Sequence, residues 1–219
     1  DSDLVADRVR HAVDLGYESI KLHEINIPEV HAAREAAGHS VPLMVDVNCP
    51  WTPEEAKSMA LAFKAYDILW LEEPINPPEN FQALSKLRAE TEMAIAAGEN
   101  ACTAFEFKKM MEANAIDYAQ PSVTKVGGIT EFRKIATLCE VYGVQLMPHS
   151  PYFGPGFLAT LHLSQAIPNS GMIERIFIEP ETNLYGNSTY NPVNGAFGAP
   201  GGNGLGLEPD TDVLKTYRV

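Results

Sequence analysis

The sequence predicts an α/β fold, a TIM-like parallel barrel, and two observations support this prediction. Short apolar runs typical of strands alternate with helical segments along most of the 219 residues, and such alternation with short connections implies parallel strands joined by helices. Three acids, Asp46, Glu72 and Glu99, end the strand-like segments PLMVD, DILWLE and AIAAGE. Their spacings of 26 and 27 residues match one strand, loop and helix of a β/α repeat.

The first part of the chain predicts two helices and two strands. Ser2 or Asp3 is a candidate N-cap for a helix that runs to about Leu15, and Gly16 follows it as a typical C-terminal glycine. The run YESIKLHE then predicts a strand, and a second helix is expected over about 27–37. The apolar run VPLMVDVN predicts the next strand.

A strong helix start follows that strand. Thr52 supplies a capping hydroxyl, Pro53 fits the first helical position, and Glu55 is placed to complete a capping box. This helix leads to the predicted strand DILWLEEP, and a further helix over about 78–89 precedes the strand MAIAAGEN. The β/α repeat therefore continues without a break.

The remaining elements follow the same order. A helix over about 104–114 precedes IDYAQPS, and GITEFRKIATLCEVYG has an apolar stripe with helical spacing before the strand VQLMPHS. A helix over about 156–165 leads to the predicted strand MIERIFIE. From about Pro180 onward the chain is rich in Gly, Pro and Asn, which predicts an irregular tail.

Seven strands are therefore predicted, and their ends are at Lys21 to His23, Asp46, Glu72, Glu99, Pro121, His149 and Glu174. A closed TIM barrel requires eight strands. Since the chain opens with a helix, the missing first strand is expected upstream of Asp1. The rival architecture is a flavodoxin-like parallel sheet, but that fold needs a phosphate-binding loop after its first strand, and the sequence shows none.

Composition excludes several classes of function. Lys and Arg number 16 against 29 Asp and Glu, which gives a formal net charge of -13 and disfavours nucleic acid, since phosphate binding needs a basic face. The three cysteines are widely spaced without a C-x-x-C pair, so we expect no disulfide framework or zinc site and a cytoplasmic location. No apolar stretch reaches the roughly 18 residues of a membrane span, and no secretory signal is visible at the start.

The three spaced acids predict a metal site. The carboxyl ends of successive strands in a parallel barrel open onto one face, so Asp46, Glu72 and Glu99 are expected to converge there. Carboxylate oxygens without thiols favour a hard cation, with Mg²⁺ as the best fit and Mn²⁺ as the alternative.

Lys21, His23 and His149 are the candidate acids and bases. Lys21 and His23 lie two apart on one predicted strand, so both side chains are expected to point into the barrel. The charge of a neighbouring metal would lower the pKa of Lys21 and make the amine a usable base. His149 belongs to a predicted strand on the other side of the barrel from Lys21 and His23. One group on each side can therefore exchange protons with opposite faces of one substrate.

Three further residues at strand ends, Asn48, Lys125 and Glu174, are candidates for substrate binding. For Lys125, which precedes Gly127 and Gly128, a tight strand-to-helix turn is an alternative explanation. The expected chemistry is removal of a proton α to a carboxylate. This step is difficult because it forms an enediolate dianion, which a divalent cation on the carboxylate stabilises.

These residues stand in motifs that resemble the mandelate racemase and muconate-lactonising branch of the enolase superfamily. The matching stretches occur in family order over nearly the whole chain: IKLHE, VDVN, WLEEP, GEN, QPSVTKVGGITE, MPHS and MIER. The resemblance implies a (β/α)7β barrel over residues 1–180 that lacks its first strand and the family's N-terminal capping domain. Residues 181–219 are then expected to pack against that capping domain, and a homo-oligomer is expected.

The resemblance also implies residue roles. The three spaced acids match the family's Mg²⁺ ligands, while Lys21 and His23 fill its K-x-K pair. His149 matches the histidine of the seventh strand, and Glu174 matches an acid that hydrogen-bonds the substrate carboxylate in the racemases.

Two positions depart from the family pattern. His23 replaces the second lysine of K-x-K, which leaves open whether His23 or Lys21 takes the proton. Ser122 stands where racemases have an Asp and lactonising enzymes a Lys, so His149 is expected to lack an orienting carboxylate. This favours a dehydratase, in which a histidine acts as a general acid, over a two-base racemase.

The leading functional hypothesis is therefore a Mg²⁺-dependent dehydratase of an acid sugar, an aldonate or aldarate. The alternative enzyme is a racemase, epimerase or cycloisomerase, and in either case the expected partner is a small carboxylate, an acid sugar or 2-hydroxy acid. From a different class, the chain is a catalytically silent barrel that serves as a binding module.

Overall fold

The computed structural model describes residues 1–218, in which helices and strands alternate along the chain. The strands are β1 Ile20–Leu22, β2 Leu43–Asp46, β3 Leu71–Glu72, β4 Ile95–Ala97, β5 Tyr118–Ala119 and β6 Gln145–Leu146. The helices are α1 Ser2–Asp14, α2 Ile27–Ala37, α3 Pro53–Phe63, α4 Phe81–Thr91, α5 Ala104–Glu112, α6 Ile129–Tyr142, α7 Pro155–Ala166 and α8 Thr211–Thr216.

The six strands form one parallel sheet in chain order, from β1 to β6. A helix lies between each strand and the next, as parallel pairing requires. In the register of the sheet, Asp46 pairs with Glu72, and Glu72 pairs with Ala96. The predicted α/β fold with consecutive parallel strands is confirmed.

The seventh predicted strand, MIERIFIE, which was expected to bring Glu174 to a strand end, is wrong. After β6 the structure has a single parallel bridge between Leu146 and Ser170, and residues 171–178 belong to no strand. The physical reason is that a strand needs a hydrogen-bonded neighbour. At the other edge of the sheet, β1 pairs with β2 alone among the described residues.

A cavity of about 770 Å³ lies between β1 and residues 171–178. Its lining is mainly apolar and includes Met44, Trp70 and Phe177. The sheet is therefore open at the point where the missing first strand of a closed barrel is predicted to lie. The existence of that strand stays a prediction.

Successive side chains of β2 point to opposite faces of the sheet, into two different apolar clusters, and this alternation sets the direction of Asp46. Leu43 and Val45 pack in the main cluster with the helices, whereas Met44 packs in a second cluster with Trp70 and Ala96. Because successive side chains of a strand point to opposite faces, Asp46 shares the face of Met44. Asp46 therefore points away from the helices.

The helix starts show how local sequence sets the element boundaries. Thr52 and Glu55 form the predicted capping box of α3. The α1 cap is Asp1, one residue earlier than predicted, because its carboxylate accepts the backbone N–H of Asp3. Helix α4 begins after Asn80, three residues later than predicted, because the Asn80 side chain caps it.

The tail contains a 3-10 turn, Asn187–Tyr190, and the short helix α8. Tyr190 is only 1% exposed and packs in a third apolar cluster with Phe157, Leu158 and Leu161 of α7. Part of the tail is therefore held by the barrel itself, and its packing against a capping domain stays a prediction. Across residues 1–218 the structure contains no helix with the length and apolar character of a membrane span.

Candidate functional site

The structure places the three predicted metal ligands at the carboxyl ends of adjacent strands. Asp46 and Glu72 are the last residues of β2 and β3, and Glu99 follows two residues after β4. Their exposed fractions are 1%, 0% and 7%. Buried acids are costly unless a cation or hydrogen bonds compensate them.

Lys21 lies in the centre of this acidic cluster. Its Nζ is 2.8 Å from Glu72 Oε1, 3.3 Å from Asp46 Oδ2 and 2.6 Å from Glu174 Oε1. An ammonium group has three N–H donors, and here three carboxylates surround it. Lys21 is therefore the internal counter-charge of the site.

His23 lies at the rim of the cluster. Its Nε2 is 3.3 Å from Asp46 Oδ2, and its side chain is 56% exposed. Partial burial and the positive charge of Lys21 lower the pKa of His23. The imidazole is therefore unprotonated near neutral pH.

The charges of the cluster are not balanced. Burial alone would lower the pKa of Lys21, but the carboxylates of Glu72, Glu174 and Asp46 outweigh it and raise that pKa. Burial and, second, the neighbouring Glu72 raise the pKa of Asp46 to about 8, although Lys21 acts in the opposite direction. For Glu72, Lys21 overcomes the effect of burial and lowers the pKa. The single ammonium of Lys21 therefore does not neutralise the surrounding carboxylates.

His149 approaches the same acids from the opposite side of Glu174. It is 8% exposed, and its Nδ1 lies 3.0 Å from Glu99 Oε2 and 3.4 Å from Glu174 Oε2. These are ion-pair distances without hydrogen-bond alignment, and His149 Nδ1 and Glu174 Oε2 are buried without a hydrogen-bond partner. The interaction with His149 lowers the pKa of Glu99 to about 2.

The sequence predicted that His149 has no carboxylate beside it. These distances show that this prediction is wrong. The Ser122 hydroxyl lies 2.8 Å from Thr124 Oγ1 and 3.5 Å from the Tyr152 hydroxyl, so position 122 supplies no carboxylate, as predicted. Glu99, which follows β4, and Glu174, which lies in the irregular segment after β6, lie beside the histidine instead. The Ser150 hydroxyl helps to place Glu174 by donating to its backbone carbonyl at 2.8 Å.

The residues present fit a hard cation. One ligand atom each from Glu72, Glu99 and His149 lie within 4.8 Å of one another. Asp46 is outside this grouping but ion-pairs with Lys21, which also contacts Glu72. The surplus of carboxylates, the raised pKa of Asp46 and the unpartnered Glu174 Oε2 are the features that a bound divalent cation would relieve.

Two predicted substrate-binding residues lie at the rim rather than in the cluster. Asn48 is exposed, and its backbone N–H donates to Asp46 Oδ1 at 3.0 Å. Lys125 is also exposed, and its charge contributes, after His149, to the low pKa of Glu99. Glu174, the third, lies inside the cluster.

Sequence reasoning missed two residues that contact or adjoin the acids. Trp70 Nε1 donates to Glu72 Oε2 at 3.0 Å. Gln120 follows β5, is 3% exposed, and has an unpartnered Oε1. The signal for Trp70 was its position two residues before Glu72, which places both on one strand face; the signal for Gln120 was its place at a strand end.

Comparison with known proteins identifies the family. The profile of the family described as Enolase C-terminal domain-like matches residues 4–213. The chain belongs to this family. Its resemblance to the enolase superfamily, inferred above from motifs, is thereby confirmed.

The chain is similar to several curated members of the enolase superfamily. It is 28% identical to the D-xylonate dehydratase of Haloferax volcanii, in an alignment that covers 96% of this chain and 56% of that protein. It is 32% identical to the D-galactarolactone cycloisomerase of Agrobacterium fabrum, with 90% and 54% covered. It is 33% identical to the arabinonate dehydratase of Saccharolobus solfataricus, with 80% and 48% covered. The chain thus spans about half the length of these relatives.

Solved structures of the superfamily share the fold. The mandelate racemase/muconate lactonizing enzyme-like protein of Rubrobacter xylanophilus has a TM-score of 0.86 at 29% identity, over 98% of this chain and 60% of that one. The 3,6-anhydro-D-galactonate cycloisomerase of Zobellia galactanivorans has a TM-score of 0.86 at 28% identity, over 99% and 63%. The α/β barrel-like architecture predicted from sequence is therefore the family fold.

Proposed function

We propose that this chain is the barrel part of a Mg²⁺-dependent acid-sugar dehydratase that removes the proton α to a carboxylate. The main support is the buried cluster in which Asp46, Glu72, Glu99 and Glu174 carry more negative charge than Lys21 balances. Relatives named as xylonate and arabinonate dehydratases support the substrate class, an aldonate or aldarate.

Asp46, Glu72 and Glu99 are the residues that would hold the cation. When bound, a divalent cation supplies positive charge that stabilises the anion formed next to the substrate carboxylate. Glu174, which lies between Lys21 and His149, would contact the substrate next to that carboxylate.

His23 is the better candidate for the proton acceptor on its face. Lys21 donates hydrogen bonds to Asp46 and Glu72 and ion-pairs with Glu174. These carboxylates raise its pKa, so the amine stays protonated and has no lone pair to offer. His23 is half exposed and touches the cluster through one ring nitrogen only. The proposed role of Lys21 is to hold the carboxylates in place.

His149 is proposed as the general acid that protonates the departing β-hydroxyl. Its Nδ1 faces Glu99 and Glu174, which leaves Nε2 as the nitrogen available to a substrate. A dehydratase needs one group that removes a proton and another that delivers one to the leaving group. His23 and His149 meet this requirement from different strands.

The decisive experiment incubates the complete protein and Mg²⁺ with a panel of aldonic and aldaric acids and measures 2-keto product. Turnover of at least one acid is expected. His23→Asn is expected to lower kcat by about 10²- to 10⁴-fold, whereas the exposed His31→Asn leaves it unchanged. Failure of every acid to react, with Mg²⁺ bound, would count against the dehydratase.

A racemase, epimerase or cycloisomerase is the second candidate, and two observations favour it. Two carboxylates lie beside His149, where Ser122 supplies none, and a cycloisomerase is among the relatives. Exchange of the α-proton with deuterated solvent, without loss of water, is the expected sign of this chemistry. Tight Mg²⁺ binding with neither exchange nor turnover would favour the silent binding module.

A further inference from the structure

Glu73 is a buried acid to which the proposed function gives no part. It directly follows Glu72 at the end of β3, and its exposed fraction is 2%. Its backbone has a φ of 45°, a left-handed conformation that is uncommon outside glycine. It is also outside the group of Glu72, Glu99 and His149 whose ligand atoms lie within 4.8 Å.

The first contact of the Glu73 side chain is with the loop after β4. Its Oε1 accepts the backbone N–H of Gly98 at 2.9 Å, and Gly98 directly precedes Glu99. Gly98 has a φ of 131°, and a Cβ there would lie 2.6 Å from Phe107 Cε1. The backbone beside Glu99 is therefore tightly placed between a ring and this hydrogen bond.

The second contact is with the loop after β2. Cys49 Sγ donates to Glu73 Oε2 at 3.6 Å, and the Cys49 backbone N–H donates to the Glu73 carbonyl at 2.6 Å. Cys49 lies three residues after Asp46. A single residue therefore connects the ends of β2, β3 and β4, the three strands that carry the acids.

We propose that Glu73 is a positioning residue, which sets the distances between the three acids by tying their loops together. The inference rests on the proposed metal site. Residues that hold metal ligands in place typically change metal affinity about 10- to 100-fold when they are removed. Loss of Glu73 would leave every ligand present but would make their spacing variable, so cation binding would have to order the loops.

The test titrates the 219-residue chain with Mg²⁺ alone and with Mn²⁺ alone by calorimetry and records thermal unfolding in EDTA. Glu73→Ala is expected to lower cation affinity about 10- to 100-fold. Glu73→Gln is expected to lower it less, since its amide oxygen can still accept the Gly98 N–H. If Glu73→Ala does not fold, Glu73→Gln carries the test.

Asp117→Asn is the matched control at the opposite end of β4. Asp117 Oδ2 accepts the Ile95 N–H at 2.9 Å, so both acids hold a backbone amide of the same strand segment. The control is expected to lower the melting temperature and to leave cation affinity within about twofold, since surface-side changes far from a site rarely couple to it.

The outcomes separate the two proposals. Binding by the wild-type chain together with a Glu73→Ala affinity no lower than that of Asp117→Asn would overturn the positioning role alone. A wild-type chain that binds neither cation would overturn the metal site and the positioning role with it. A selective loss of affinity in the Glu73 variants would support both.

Discussion

At the scale of single residues, the site is organised by charge. Three carboxylates surround the ammonium of Lys21. His23 contacts Asp46 at the rim, and buried His149 lies beside Glu99 and Glu174. Because burial disfavours a charged carboxylate and the ammonium does not neutralise all of the neighbouring acids, one of them keeps a proton at pH values where a free acid is ionised. Asp46 is that residue, with its pKa raised to about 8.

This raised pKa predicts a pH dependence of stability in the metal-free chain. Between its ordinary pKa of 3.8 and its folded pKa of about 8, Asp46 binds a proton in the folded state that the unfolded state has lost. Stability is therefore expected to fall as pH rises through this window. Melting temperatures in EDTA from pH 5 to pH 8.5 should fall more steeply for the wild type than for Asp46→Asn; parallel curves would contradict the assignment.

At the scale of elements, buried polar side chains join helices to the connections between them. Arg34 of α2 is the main example, with an exposed fraction of 3%. Its guanidinium donates to the carbonyls of Gly38 and Val41 at 2.8 Å each, and to those of Tyr66 at 2.8 Å and Asp67 at 3.0 Å. It therefore joins the end of α2 to the turn that precedes β3.

Arg34→Lys is expected to destabilise the chain by at least about 2 kcal/mol, since lysine cannot reproduce the fork and leaves buried carbonyls unsatisfied. Urea unfolding measures the change. The control is Arg133→Lys on the exposed side of α6, for which we expect a change within about 0.5 kcal/mol. Equal effects of the two substitutions would show that the Arg34 bonds contribute nothing specific.

At the scale of the whole molecule, one edge of the sheet is open, whereas the tail packs against the rest of the chain. The open edge is β1, which borders the cavity and has no second neighbouring strand among the described residues. The tail, by contrast, is tied to the barrel near the site. Arg175, next to Glu174, donates to the Tyr190 carbonyl at 2.8 Å, and the Tyr190 hydroxyl accepts the Gly154 N–H at 2.9 Å.

Tyr190→Ala is expected to cost about 3–5 kcal/mol, since it removes a buried ring from the cluster on α7. Tyr190→Phe keeps the ring and loses only the bond to Gly154, so about 1 kcal/mol is expected. Denaturant unfolding of both variants measures the difference. A loss below about 1 kcal/mol for Tyr190→Ala would show that the tail does not pack on the barrel in solution.

The sequence alone was sufficient for the order of elements from α1 to α7 and for the edge of the sheet on which the acids lie. Apolar periodicity and caps such as Thr52 are local signals, and in a parallel sheet with strands in chain order, regular spacing brings strand ends together. The position of Asp46, Glu72 and Glu99 along one edge of the sheet could therefore be predicted. Their roles as ligands, and those of Lys21 and the histidines, stay proposals.

Only the tertiary structure decided which groups touch. The three carboxylates around Lys21, the two beside His149, and the link from Glu73 to Gly98 join residues separated by 25 or more positions in the chain. The open edge where MIERIFIE fails to form a strand depends on a neighbour that local sequence does not encode. Side-chain contacts and charge states arise from packing in three dimensions, whereas periodicity records only which face each residue takes.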